Sequence, residues 1–181
     1  MKKIILMAAM MIGCMCAMAQ DVFKNDTVIQ VEGLEAKVIY SRLRDYVIHN
    51  FTNSEKVLQI EDEEKGRMVG SFTIEYEDES ITRNYLYGMI DVTFEILCRD
   101  GRFRFICSEY RHRGVPKKWV IQNPVTFGLL YTDVPNPCPT QKYQYKSLVK
   151  HILPYLRLEF KGMSVDLKYG AYKETTSEED W

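Results

Sequence analysis

Nothing in this sequence is apolar for long enough to cross a bilayer. A spanning helix asks for ~20 residues, and the longest apolar run, Ile4 to Met18, stops short of that before polar sequence resumes. No transmembrane helix is expected. Charge of one sign is missing too: the 24 Lys and Arg, two of which are Lys2 and Lys3, stand against 25 Asp and Glu, so the chain beyond its start is slightly acidic. Such a balance does not ask for a polyanionic partner. Cysteine is scarce. Cys14 and Cys16 fall in the first twenty residues, and Cys98, Cys107 and Cys138 are an odd set at wide spacing. That excludes a disulfide framework and leaves one bridge at most. Paired carboxylates, a nucleophile elbow, a phosphate loop and zinc-ligand spacing are all absent, so neither a cofactor nor a metal is expected.

What is present begins with location. Lys2 and Lys3 form a basic start, Ile4 to Met18 is the apolar run, and Ala17-Met18-Ala19 sets small residues where a signal peptidase reads. Residues 1–19 are expected to be a signal peptide, Gln20 the mature start, and the protein exported to the periplasm or cell envelope. A lipoprotein reading through Met11-Ile12-Gly13-Cys14 ranks second, because Met11 fits poorly where a branched aliphatic residue is usual. About 160 residues remain, enough for one self-sufficient core. They are expected to form one α+β domain over 20–173, with an acidic disordered tail at 174–181.

Thr27 to Val31 is β-prone, and Gly33 precedes an amphipathic helix from Ala36 to Phe51, with Ile39, Tyr40, Leu43 and Val47 on one stripe. Asn53-Ser54 ends that helix. Val57 to Glu61 reads as a strand with Leu58 and Ile60 on one face, and Lys65-Gly66 as a turn. From Arg67 to Tyr76, residues Met68, Gly70, Phe72, Ile74 and Tyr76 point one way. Ile90, Val92, Phe94, Ile96 and Cys98 repeat the rule in the next strand. Asp100-Gly101 is a strong hairpin signal, because both residues tolerate the positive φ of a tight turn.

That turn sets Cys98 opposite Phe103, Ile96 opposite Phe105 and Phe94 opposite Cys107, all on the buried side. Cys98 and Cys107 are then four positions out of step, roughly 13 Å and beyond disulfide reach, so they read as core thiols. The other side carries Arg102, Arg104, Ser108, Thr93 and Glu95. Residues 111–140 hold five of the six prolines and read as a proline-rich loop or inserted hairpin, with short strands at Lys118 to Ile121 and Phe127 to Tyr131. Thr140 is expected to cap a second helix with a stripe of Tyr145, Leu148, Val149, Ile152, Leu156, Phe160 and Met163, kinked at Pro154. The fold class that follows is α+β: a single antiparallel sheet in the order β-α-β-β-β-β-α, with two helices on one face and the other face open.

In this order of elements the chain resembles a family of exported bacterial proteins, domain of unknown function 4468, which has a TBP-like fold. The likeness covers about Thr27 to Tyr110 and the last helix. It rests on the helix leading into Ser54-Glu55-Lys56-Val57-Leu58-Gln59-Ile60, on Lys65-Gly66 and Gly70, and on Asp100-Gly101-Arg102-Phe103-Arg104. The family implies a fold and no catalytic residues. A sheet of this type invites a nucleic-acid reading, which Glu75, Asp91 and Glu95 oppose by setting carboxylates against phosphates. Nucleic acid is not expected as a partner.

The residues weighed as sites are few. Arg111, Arg113, Lys117, Lys118 and Trp119 form the expected ligand-binding cluster: arginine grips phosphate or carboxylate in a fork, and tryptophan stacks on a sugar. Cys138, between prolines, is a candidate nucleophile with His112 or His151, against a bland reading as a loop thiol. Glu61-Asp62-Glu63-Glu64 lacks the ligand spacing of a calcium loop and reads as a solvated turn. His49 and His151 read as surface histidines. Tyr85, Tyr87, Tyr110 and Tyr131 are candidates for a pocket at one end of the sheet. The expected function is a non-enzymatic envelope module that binds a protein, a glycan or an anionic lipid head group. Two alternatives stand beside it: a periplasmic cysteine hydrolase using Cys138, and an assembly component adding a strand to the free edge of the first strand.

Overall fold

The computed structural model describes residues 20–51, 57–78, 80–116, 124–135, 138 and 140–173. The signal peptide expected at 1–19, the turn expected at Asn53-Ser54, the strand expected at 118–121 and the tail expected at 174–181 lie outside the described residues.

The Asp100-Gly101 turn organises the sheet. It joins β4 (Gly88–Arg99) to β5 (Arg102–Gly114) with Gly101 at φ +70°. The register is the one the turn predicts: Cys98 opposite Phe103, Ile96 opposite Phe105, Phe94 opposite Cys107, all six buried. The same turn starts the first helix. Asp100 Oδ1 accepts the Ala36 amide at 2.8 Å and the Gly101 amide donates to the Leu34 carbonyl, so α1 (Ala36–Asn50) is capped from the hairpin rather than by its own N-cap residue.

β3 (Arg67–Tyr76) pairs with β4, β2 (Leu58–Asp62) with β3, and β1 (Asn25–Gln30) lies beyond β5, giving the antiparallel order β1-β5-β4-β3-β2. β6 (Gly128–Leu129) pairs with the far end of β5, within the short strand expected from Phe127 to Tyr131. α2 (Lys142–Tyr172) closes the fold. Ile39, Tyr40, Leu43 and Val47 of α1 and Tyr145, Leu148, Ile152, Leu156 and Phe160 of α2 are buried, as the stripes predict. They meet Met68, Phe72, Val92, Phe94, Ile96 and Phe105 in one core. Both helices lie on that side, and the other side of the sheet is open. No helix among the described residues is long and apolar enough to cross a membrane.

Two expectations need correcting. Leu58 and Ile60 do not share a face: the register shifts between them, so Leu58 lies opposite Gly70 at the core while Ile60 lies opposite Val69 and is 46% exposed. Thr140 does not cap α2, whose N-cap is Gln141; the Thr140 hydroxyl is buried without a partner among the described residues. α2 runs continuously through Pro154, and Pro154 and Lys150, whose carbonyl loses its donor, both lie on the exposed side.

Candidate functional site

The open side of the sheet is laced by ion pairs between neighbouring strands. Arg104 on β5 binds Asp26 on β1, with Nε to Oδ1 at 2.9 Å, and this hydrogen bond holds the Asp26 carboxyl below its ordinary range. Arg67 on β3 binds Glu95 on β4, and Tyr87 donates to Glu75 at 2.7 Å. Asp91 at the centre accepts the Thr73 hydroxyl at 2.8 Å. Each carboxylate is thus held by a group on another strand or on the segment beside it.

Arg111 and Arg113 differ. Both lie exposed on this side at the far end of β5. Arg113 reaches Asp91 only at 4.0 Å, and Arg111 is in no ion pair among the described residues. A bulge places them there. Asp91 pairs with Arg111 and Thr93 with Ser108, so Val92 faces two residues, Glu109 and Tyr110, and Glu109 sits at φ +51°. The extra residue exchanges the two sides of the strand: Phe103, Phe105 and Cys107 point to the core before it, Tyr110 and His112 after it. Were the strand to alternate regularly through Glu109, Arg111 and Arg113 would point into the core. Lys117, Lys118 and Trp119, the rest of the expected cluster, lie outside the described residues.

The same bulge turns His112 away from Arg111 and Arg113. It is 1% exposed, with Nε2 2.9 Å from the Leu86 carbonyl oxygen, its ring against Phe127, and Nδ1 without a partner among the described residues. A carbonyl only accepts, so Nε2 carries the hydrogen, and burial lowers the pKa of the ring. Cys138 is half-buried against the core and hydrogen-bonded to neither His112 nor His151 among the described residues. The sulfur–imidazole pair that nucleophilic catalysis needs is not formed.

The remaining candidates have structural partners. Glu61 binds Arg44, Asp62 binds Lys65 at 2.7 Å, and Glu63 lies 3.5 Å from Lys37. Tyr110 is buried, its hydroxyl accepting from Asn25 at 2.7 Å and its ring against Phe23, so it lines no open pocket. Cys98 and Cys107 are free and buried, with their thiols raised by burial, Cys98 to about 12. One feature escaped sequence reading: a cleft of about 280 Å³ between α1, β3 and α2, floored by Phe51, Phe72 and Met163 and rimmed by Glu159 and Asp166. Its parts come from three elements, and no single stretch of sequence signals it.

A family model described as "Domain of unknown function (DUF4468) with TBP-like fold" matches residues 26–112. Among solved structures, a TBP-like protein from Parabacteroides distasonis ATCC 8503 is similar with a TM-score of 0.61 at 12% identity, over 84% of this chain and 94% of that one. A DUF4468 family protein from Bacteroides ovatus ATCC 8483 is similar with a TM-score of 0.49 at 14% identity, over 86% and 90%. No curated protein matches.

Proposed function

We propose, for a chain whose residues 26–112 match the DUF4468 family model with TBP-like fold, that it is an exported, non-enzymatic binding module of the periplasm or cell envelope. It takes an anionic partner at the Arg111–Arg113 end of its uncovered face. The partner presents phosphate or carboxylate, as an envelope protein, a glycan or an anionic lipid head group does. The observation that carries this reading is the contrast along one surface. Arg67 and Arg104 are neutralised by carboxylates on adjacent strands, whereas Arg111 is exposed and in no ion pair among the described residues. Two neighbouring guanidinium groups with spare donors suit a forked grip on an oxyanion. Asp26, Asp91 and Glu95 across the middle of the face argue for a small anionic group at one end rather than a long polyanion laid across it.

The test compares two double variants that remove the same charge. Arg111→Ala with Arg113→Ala empties the proposed site, and Arg99→Ala with Arg102→Ala removes two arginines at the opposite, hairpin end. Binding is measured by co-sedimentation with vesicles of anionic or neutral lipid and by retention on an acidic-glycan matrix, each against rising salt. The first variant is expected to lose about tenfold or more in affinity for one of these anionic surfaces, and the second far less. Equal losses from both would reduce the effect to net charge and overturn the site.

A further inference from the structure

The outward side of α2 carries an apolar stripe that the fold does not use. Leu158, Gly162, Val165, Tyr169 and Tyr172 follow one another at steps of four and three. That repeat keeps one seam of a helix turned toward a neighbouring helix. The seam lies opposite the buried stripe of the same helix, to which Leu156, Phe160, Leu167 and Ala171 belong. Leu158 is 68% exposed, Val165 63%, Tyr169 68% and Tyr172 46%. Side chains of this size, contiguous over four turns, make a patch of several hundred Å², the scale that marks an interaction surface. Gly162 at its centre has open space where a side chain would stand, so a second helix can approach closely.

The borders of the seam say what covers it. Glu159 and Asp166 line one side, Lys161 and Lys168 the other, and among the described residues none of the four is in an ion pair. We propose that a second copy of this chain docks here, the two α2 helices side by side and running in the same direction. In that arrangement Lys161 of each copy reaches Asp166 of the other, once on each side of the two-fold axis. Opposed helices would set carboxylates against carboxylates and ammonium groups against ammonium groups. An anionic membrane favours cationic residues on both borders of such a stripe, which Glu159 and Asp166 contradict. Because α2 lies on the covered side of the sheet, pairing through it leaves both uncovered faces looking outward. The dimer then presents two binding faces, with the gain in avidity that two linked sites bring.

The protein, purified as the cell accumulates it, is followed by sedimentation over a wide concentration range beside Val165→Glu. A dimer is expected, with its dissociation constant raised about tenfold or more by the substitution. At a concentration where both proteins are monomeric the variant's thermal midpoint is expected to match the wild type, since Val165 is exposed and lies outside the core. Orientation is read from Leu158→Cys in a Cys138→Ser background: helices running together place the two cysteines in register, and oxidation gives a covalent dimer. Opposed helices would centre on Gly162 and Val165 and hold the two copies of position 158 roughly 16 Å apart, beyond disulfide reach, where Leu158→Cys would instead cross-link to Tyr169→Cys. A wild-type monomer at every concentration, a dimer indifferent to Val165→Glu, or the 158–169 cross-link would each overturn the proposal, as would a monomer that binds vesicles through this seam.

Discussion

The imidazole of His112 donates through Nε2 to the Leu86 carbonyl oxygen, 2.9 Å away, and so ties the end of β5 to the turn that precedes β4. Gly88 permits the arrangement, since a side chain there would come within 2.9 Å of the ring.

Burial lowers the pKa of His112 from its ordinary 6.5, so the folded protein holds the ring neutral while the unfolded chain binds a proton more readily. The unfolded state therefore binds more protons below pH ~6.5. The contribution of His112 to stability is complete above that pH and is lost as pH falls through the lowered, folded value. Urea midpoints measured from pH 5 to 8 should fall on the acid side for the wild type. In His112→Leu that slope should flatten, and at neutral pH the variant should be weaker by about 1–2 kcal/mol, because the Leu86 carbonyl loses its donor.

Glu109 occupies the left-handed region at φ +51°, which costs an ordinary side chain about 1 kcal/mol and a β-branched one more. Glu109→Gly should be neutral or stabilising by up to about 1 kcal/mol, and Glu109→Val destabilising by about 1–2 kcal/mol. Deleting Glu109 should leave the fold intact, because Val92 then faces Tyr110 alone and Arg111 and Arg113 keep their outward positions. Denaturation curves and far-UV circular dichroism check all three.

Gly70 lets β2, β3 and β4 close over one another. A Cβ there would lie 2.0 Å from the Val57 carbonyl oxygen and 2.5 Å from the Phe94 ring. The first of these is backbone and cannot swing away, so Gly70→Ala should cost about 3 kcal/mol, at the upper end for overpacking. Gly101→Ala meets no neighbour and should cost only about 1 kcal/mol, from its positive φ. Thermal unfolding of the two variants side by side separates packing from backbone conformation.

The thiols should differ in reactivity. Cys98 and Cys107 are buried with raised pKa values, whereas Cys138 is half-buried in a loop. Alkylation of the native protein near pH 8 followed by peptide mapping should mark Cys138 and spare the other two until urea is added. Early marking of Cys98 or Cys107 would mean that the β4–β5 hairpin opens locally.

Much of the fold was legible in the residues. Met68 through Tyr76 and Ile90 through Cys98 alternate without a break, and a tight turn at Asp100-Gly101 permits one register for β4 and β5. Bulges were not legible. One between Leu58 and Ile60 sends the isoleucine outward, and one at Glu109 exchanges the sides of β5. A trace of the second was available, since Phe103, Phe105 and Cys107 occupy odd positions while Tyr110 falls on an even one. Reading that slip as a bulge would have separated His112 from its arginine neighbours. The cleft between α1 and α2 left no trace, because it joins residues more than a hundred positions apart.

The sequence by itself determined the elements, their order, the register of the central hairpin and the sidedness of the core. Periodicity and turn chemistry act over a few residues, and the alternation of Phe94, Ile96 and Phe105 answers to nothing more distant. Tertiary structure alone decided that β1 crosses to lie beside β5, that Asp100 caps α1, and that Arg111 and Arg113 face outward while His112 does not. It also decided which apolar stripe of α2 met the sheet and which was left to solvent. These outcomes depend on which surfaces compete for the same buried volume, a property of the assembled chain that no local stretch of it contains.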